Sequence, residues 1–236
     1  SPINIVHRKT VPNKRLTPFQ FNQYQDSFQS QIKNNGHSGM QDTIYCVLYH
    51  LLHLAYDALS FDESDFLFTF LQLHIVHMKQ QHSNLGDALK DPTGVAVLGF
   101  FYEESLRENR KYDPIVKALQ SIRKTPSLSD VSLEQLIPPQ QNLTNYYRYK
   151  GSLTTPNCTE SVIWTVFEKP IPLSKNQLLK FSDLQFKDDK DMVDTFRPVQ
   201  PLNRRVVYRS GGAVVLASVT LLVASFAMAM GLSQHN

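Results

Sequence analysis

The chain has 236 residues, 42% of them hydrophobic and 19% charged, with 24 Lys and Arg against 21 Asp and Glu. This composition excludes a disordered chain and a small disulfide-stapled scaffold, and it supplies apolar material for one full-sized core. The small positive excess comes from basic residues scattered along the sequence, which leaves no footprint for a nucleic acid.

The first residues, Ser1-Pro2-Ile3-Asn4-Ile5, read as extended chain with no charged-then-apolar leader before them, so part of the gene product is expected upstream. Residues 39–71 carry apolar side chains at three- and four-residue steps, from Ile44, Val47 and Leu48 to Ala58 and Leu59. That spacing predicts an amphipathic helix. Cys46, His50, His53 and Asp57 fall on its other side, where His50 and His53 at i, i+3 either share a metal or form a solvated face. Leu71 to Val76 reads as a strand with Gln72, His74 and Val76 on one face and Leu73, Ile75 and His77 on the other. By itself, the spacing reads His74 as a hydrogen-bonded core histidine and does not make it a ligand.

Two further apolar runs, Gly94 to Phe101 and Ser161 to Phe167, predict central strands buried on both faces. Between them, Ile115, Leu119 and Ile122 recur at i, i+4 and i+7, which predicts a short helix over 112–123. Cys46 and Cys158 allow one disulfide and exclude an all-cysteine zinc site. Asn142-Leu143-Thr144 and Asn157-Cys158-Thr159 are glycosylation sequons, relevant on the secretory route. One domain is expected over 1–208. Ala213 to Leu232 then runs 20 residues without a charge, long enough to span a bilayer as a transmembrane helix. Ser210-Gly211-Gly212 before it equally suits a GPI-anchor attachment signal, although no polar spacer follows. A spanning segment would place Arg204, Arg205 and Arg209 on the cytosolic side, in conflict with the sequons, and a lipid anchor removes that conflict.

Six motifs together carry a family resemblance: Ser1-Pro2-Ile3-Asn4-Ile5, Asn34-Asn35-Gly36-His37-Ser38, Leu73-His74-Ile75-Val76-His77, Gly94-Val95-Ala96-Val97-Leu98-Gly99, Gly151-Ser152-Leu153-Thr154-Thr155-Pro156 and Phe196 to Leu202. In this order they resemble an animal α-class carbonic anhydrase of the secreted, membrane-anchored kind. The resemblance covers 1–38 and 73–207. It implies a mostly β fold with short helices, built on a large twisted, mainly antiparallel sheet, and a zinc held by three histidines at the base of a cavity. It also implies reversible hydration of carbon dioxide to bicarbonate at the extracellular face of the plasma membrane. The zinc of carbonic anhydrases, the reference example of the effect, lowers the pKa of its bound water to about 7, so hydroxide is present at neutral pH.

Residue by residue, the resemblance implies that His74 is the third zinc ligand, that the Thr154 hydroxyl orients zinc-bound hydroxide, and that His37 shuttles protons near the cavity mouth. Val76, Val97, Leu153 and Trp164 match the apolar wall that receives carbon dioxide, and Thr155 lines the same cavity. The family carries its first two ligands as His-x-His on a strand, and no His-x-His occurs here. Gln72 stands where the family has an acidic residue behind the third ligand. Cys158 matches a cysteine whose family partner lies before Ser1, and Cys46 is not expected to replace it. Three functions follow: an active zinc lyase using substitute ligands, an inactive binding module on the same scaffold, or a chain in which 39–71 comes from an altered reading of the gene. The second and third make zinc binding and activity improbable for this chain.

Overall fold

The computed structural model describes residues 1–34, 39–42, 51–56, 71–121, 127–182 and 197–211. Among them, eleven strands form one sheet in the order β1-β11-β8-β9-β6-β5-β4-β3-β2-β7, with β10 attached to β6. The strands are β1 (Val11–Asn13), β2 (Phe28–Asn34), β3 (Gly39–Asp42), β4 (Leu51–Tyr56), β5 (Leu71–Met78), β6 (Val95–Ser105), β7 (Ser127–Val131), β8 (Tyr146–Gly151), β9 (Val162–Phe167), β10 (Ile171–Ser174) and β11 (Tyr208–Ser210). Only β1–β11, β6–β9 and β6–β10 run parallel, so the sheet is mainly antiparallel, as the family resemblance implies. Among the described residues four short α-helices flank it: α1 (Leu85–Ala88), α2 (Asp113–Leu119), α3 (Leu133–Leu136) and α4 (Lys175–Ser182).

The central strands β5, β6 and β9 are buried on both faces, which explains their nearly unbroken apolar sequences. On one face Leu73 and Ile75 join Phe100, Tyr102 and Phe167 in the larger core, and on the other Val76 joins Val97, Val166 and Trp164. Phe100 and Phe167 stack with centroids 4.7 Å apart. The helix expected near Ile115 is α2, which has Pro114 in its first turn and buries Ile115, Ala118 and Leu119. On the same face of β5 as Leu73, His77 meets the buried Tyr24 hydroxyl at 2.8 Å. Burial holds the Tyr24 phenol well above its ordinary pKa, so it is a neutral partner for that imidazole.

The helix expected over 39–71 is corrected where the structure describes that stretch. Residues 39–42 and 51–56 are antiparallel strands, β3 pairing with β4 and β4 with β5. The core strands there are therefore kept rather than replaced. Two forces favour this result. Leu51-Leu52-His53-Leu54-Ala55-Tyr56 is so apolar that a helical and an extended period fit it equally. The backbone donors and acceptors along the buried edge of β5 need a pairing strand, and β4 supplies one.

The loop between β5 and β6 is tied by Asp91. Its carboxylate accepts from Lys79 Nζ at 2.8 Å and from the Thr93 backbone N–H at 2.8 Å, with His82 Nε2 at 3.3 Å. These bonds, Lys79 first, hold the Asp91 carboxyl well below the usual carboxylate range. A depressed carboxylate adds stability that is present above the unfolded value of about 4 and is lost as pH falls through the lower folded value. Asp91→Asn should therefore destabilise the protein at pH 7 and flatten the acid limb below pH 4, read by unfolding followed by circular dichroism. An unchanged acid limb would refute the assignment.

Candidate metal centre

β5 lies between β4 and β6, and this places residues 72, 74 and 76 along one face of the sheet centre. His74 is 2% exposed, and its Nε2 lies 2.7 Å from Gln72 Oε1. An amide oxygen only accepts, so Nε2 carries the ring proton and Nδ1 carries the lone pair. The amide thus serves as the ring N–H acceptor that the family provides with a carboxylate. The edge of the Trp164 ring meets His74 with centroids 4.8 Å apart and planes at 77°. Trp164 is itself fixed by Nε1 donating to the Ser152 carbonyl at 2.9 Å.

The surrounding wall is apolar. Val97 pairs with Val76 across β5–β6 and with Trp164 across β6–β9, and all three lie in one buried cluster. Leu153 packs against that cluster from the turn after β8. The structure therefore brings His74, Val76, Val97, Leu153 and Trp164 together. Thr154 and Thr155 follow Leu153 and are half-buried in a tight loop closed by Cys158 N–H donating to the Thr155 carbonyl at 3.0 Å. Asn157 and Cys158 in that loop have positive φ of 80° and 42°, and Cys158 carries a free thiol. His37, His50 and Cys46 lie outside the described residues. Two surface clefts, of about 450 and 590 Å³, lie elsewhere, the first walled by Ile137, Pro139 and Lys169 and the second by Val11, Leu202 and Val206.

The strand β4 changes what histidine arithmetic allows. Its register sets His53 directly opposite His74, Leu51 opposite Val76 and Ala55 opposite Gln72. Cross-strand partners share a face, so residue 53 belongs to the face of His74. Reading 39–71 as a helix missed this position and paired His53 with His50 instead. The signal was the six-residue apolar run bounded by the β5 pattern.

The donor set can now be tested against zinc. At the neighbouring positions on that face of β4, Leu51 and Ala55 have no ligating atom. Across β6 the partners of Gln72, His74 and Val76 are Phe101, Gly99 and Val97, which have none either. A catalytic zinc takes three protein ligands and an open position, and by register the described strands β4 and β6 place one further histidine position, 53, beside His74 on that face. Among the described residues no group of three His, Cys, Asp or Glu gathers. The Gln72-supported His74 suits one ligand position.

A wide twisted sheet with a buried, hydrogen-bonded histidine facing an apolar wall defines a scaffold class, and comparison with known proteins identifies it. The sequence profile of the eukaryotic-type carbonic anhydrases matches residues 1–211. Carbonic anhydrase 4 of Mus musculus is 39% identical over 251 residues, covering 94% of this chain and 80% of its own length. Carbonic anhydrase 4 of Rattus norvegicus is 36% identical, with coverage of 96% and 83%, and carbonic anhydrase 15 of Mus musculus is 30% identical, with coverage of 94% and 78%. The chain belongs to the carbonic anhydrase family. Zinc-dependent hydration of carbon dioxide is the activity of that family.

Proposed function

We propose that this chain is a carbonic anhydrase family protein with an incomplete zinc cup and little or no carbon dioxide hydration, retained or produced as a binding scaffold on the outer face of the plasma membrane. The observation that carries this reading is the β4–β5 register, with His53 opposite His74 and the donorless Leu51 and Ala55 beside it. Without a third imidazole the polypeptide does not enclose the ion in the tetrahedral geometry that leaves one place for water. The apolar wall around His74 then serves packing. Val97 and Trp164 are buried by the sheet whatever enters the face.

Attachment through 213–232 belongs to the same reading. It is supported by the uncharged 20-residue run and by the exposure of Asn142 and Asn157, whose sequons are open to a glycan. The functional test is carbon dioxide hydration by the purified full chain in detergent, with and without added zinc, beside His74→Ala. The two proteins should show the same rate, equal to buffer. Chelator-sensitive hydration by the unsubstituted chain, abolished in His74→Ala, would overturn the proposal.

A further inference from the structure

The cleft of about 450 Å³ is walled by three stretches far apart in sequence: residues of the loop after β6, the end of α3, and the turn that leads into β10. Hydrogen bonds tie these walls together. Asn109 Nδ2 donates to the Pro172 carbonyl at 3.1 Å, and the buried Tyr112 hydroxyl donates to the Leu136 carbonyl at 2.6 Å. Ile137, Pro138 and Ile171 line the cleft as buried residues, and Pro139 and Pro172 line it as exposed ones. Gln135, Lys111 and Lys169 add N–H donors to this apolar wall, and neither lysine enters an ion pair among the described residues. A preformed cleft of this size lies within the range of about 300–1,000 Å³ in which organic ligands are bound.

Asn142 belongs to the same wall. It closes a single 3-10 turn, Gln140–Asn142, in which its N–H donates to the Pro139 carbonyl at 2.8 Å and the Leu143 N–H donates to the Gln140 carbonyl at 3.0 Å. Gln140 Nε2 donates to the Phe19 carbonyl at 2.9 Å, and Leu143 is 1% exposed, so the turn is pinned to the core and holds Asn142 at the surface. Among the described residues the Asn142 carboxamide makes no hydrogen bond. With Leu143 and Thr144 it forms a sequon. The second sequon differs in its surroundings, because Asn157 lines neither this cleft nor the larger one.

We propose that Asn142 carries an N-linked glycan whose first sugars lie in this cleft and cover it. Attachment fixes the occupant: the acceptor side chain is itself part of the wall, so the glycan begins at the cleft. Tethering also makes the contact intramolecular, at an effective concentration of about millimolar order, so contacts too weak to hold a free sugar suffice. N-acetylated sugars present C–H faces and a methyl group to the proline and isoleucine wall, and hydroxyl and carbonyl oxygens to Gln135, Lys111 and Lys169. In the joining step Asn142 Nδ2 bonds to the anomeric carbon of an oligosaccharide, that carbon's bond to the diphosphate of a lipid-linked donor breaks, and the proton lost from nitrogen passes to a base of the transferring enzyme. The inference rests on the outer-face reading, since the secretory route supplies the donor, and goes beyond it by assigning the modified residue and its seat.

Expression of the full gene product in animal cells, with site occupancy read by mass spectrometry and the cleft by hydroxyl-radical footprinting, tests this. The Asn142 peptide should carry a glycan. Lys111 and Pro172 come from the other walls, and sugars that bury about 70% of the cleft should lower their oxidation about threefold relative to the same folded protein after enzymatic removal of the glycan, with the exposed Leu179 unchanged. Asn142→Gln should match the glycan-free protein at both residues. A bare Asn142 on a chain displayed at the cell surface would overturn the proposal and leave the outer-face reading standing. A glycosylated Asn142 with Lys111 and Pro172 oxidised equally before and after removal would overturn the seat. A chain found on the cytosolic side with both sequons bare would overturn the outer-face reading and the proposal together. Protection that survives removal of the glycan and grows with protein concentration would assign the cleft to a second copy of this chain and overturn the proposal.

Discussion

Dialysed against micromolar zinc, the purified chain should retain far less than one zinc ion per molecule, and its single tryptophan should report the same result. Trp164 lies edge-on to His74 at 4.8 Å, so an ion held on that imidazole sits within contact range of the only indole in the protein. Cobalt(II), which takes the same nitrogen ligands and quenches indole emission, should leave Trp164 fluorescence unchanged at one equivalent. The physical ground is the donor set: His74 is oriented through Gln72, residue 53 shares its face, and every other neighbouring position on β4 and β6 is apolar or glycine. A site limited to the histidine positions 53 and 74 would leave half of a tetrahedral shell to water, and such a site would exchange its metal during dialysis. Quenching that saturates at one equivalent, survives dialysis and disappears in His74→Ala would show that the chain completes the shell with donors from elsewhere.

The largest loss of stability should follow Phe167→Ala. Phe167 ends β9, is 1% exposed, stacks on Phe100 at 4.7 Å and packs against Phe19 and Tyr146 at 5.4 and 5.6 Å. Removing a fully buried phenyl ring costs about 3–5 kcal/mol through lost transfer energy and the remaining cavity, and loss of the aromatic pair contributes to that cost. Against a domain stability of about 5–15 kcal/mol this is a large fraction, and for a chain of this size it lowers the midpoint by roughly 6–20 °C. Leu179→Ala, on the exposed side of α4, should stay within about 0.5 kcal/mol. Thermal unfolding of both variants followed by circular dichroism decides the matter. Equal midpoints would mean that the Phe100–Phe167 stack does not anchor the larger core.

The site and the strand beside it differ in how far the sequence alone reveals them. His74, Val76, Val97, Leu153 and Trp164 are all visible in short motifs, because each sits on a strand or turn whose local pattern dictates which face it takes. The strands around 71–78, 95–105 and 162–167 follow from the same local signals, and the mainly antiparallel sheet follows from the family resemblance that the motifs carry. The strand at Leu51–Tyr56 does not, because an almost wholly apolar hexapeptide has no period of its own and adopts the conformation its neighbour's unpaired backbone demands.

What the sequence by itself determined is therefore membership of a family, the central strands and the absence of a His-x-His pair. Only the tertiary structure decided that His53 stands opposite His74. It also set β1, near the start of the sequence, beside β11, with Val11 opposite Tyr208. The physical reason is the same in both cases. Register and strand order are set by hydrogen-bond partners dozens or hundreds of residues away, and the local spacing of side chains carries no record of them.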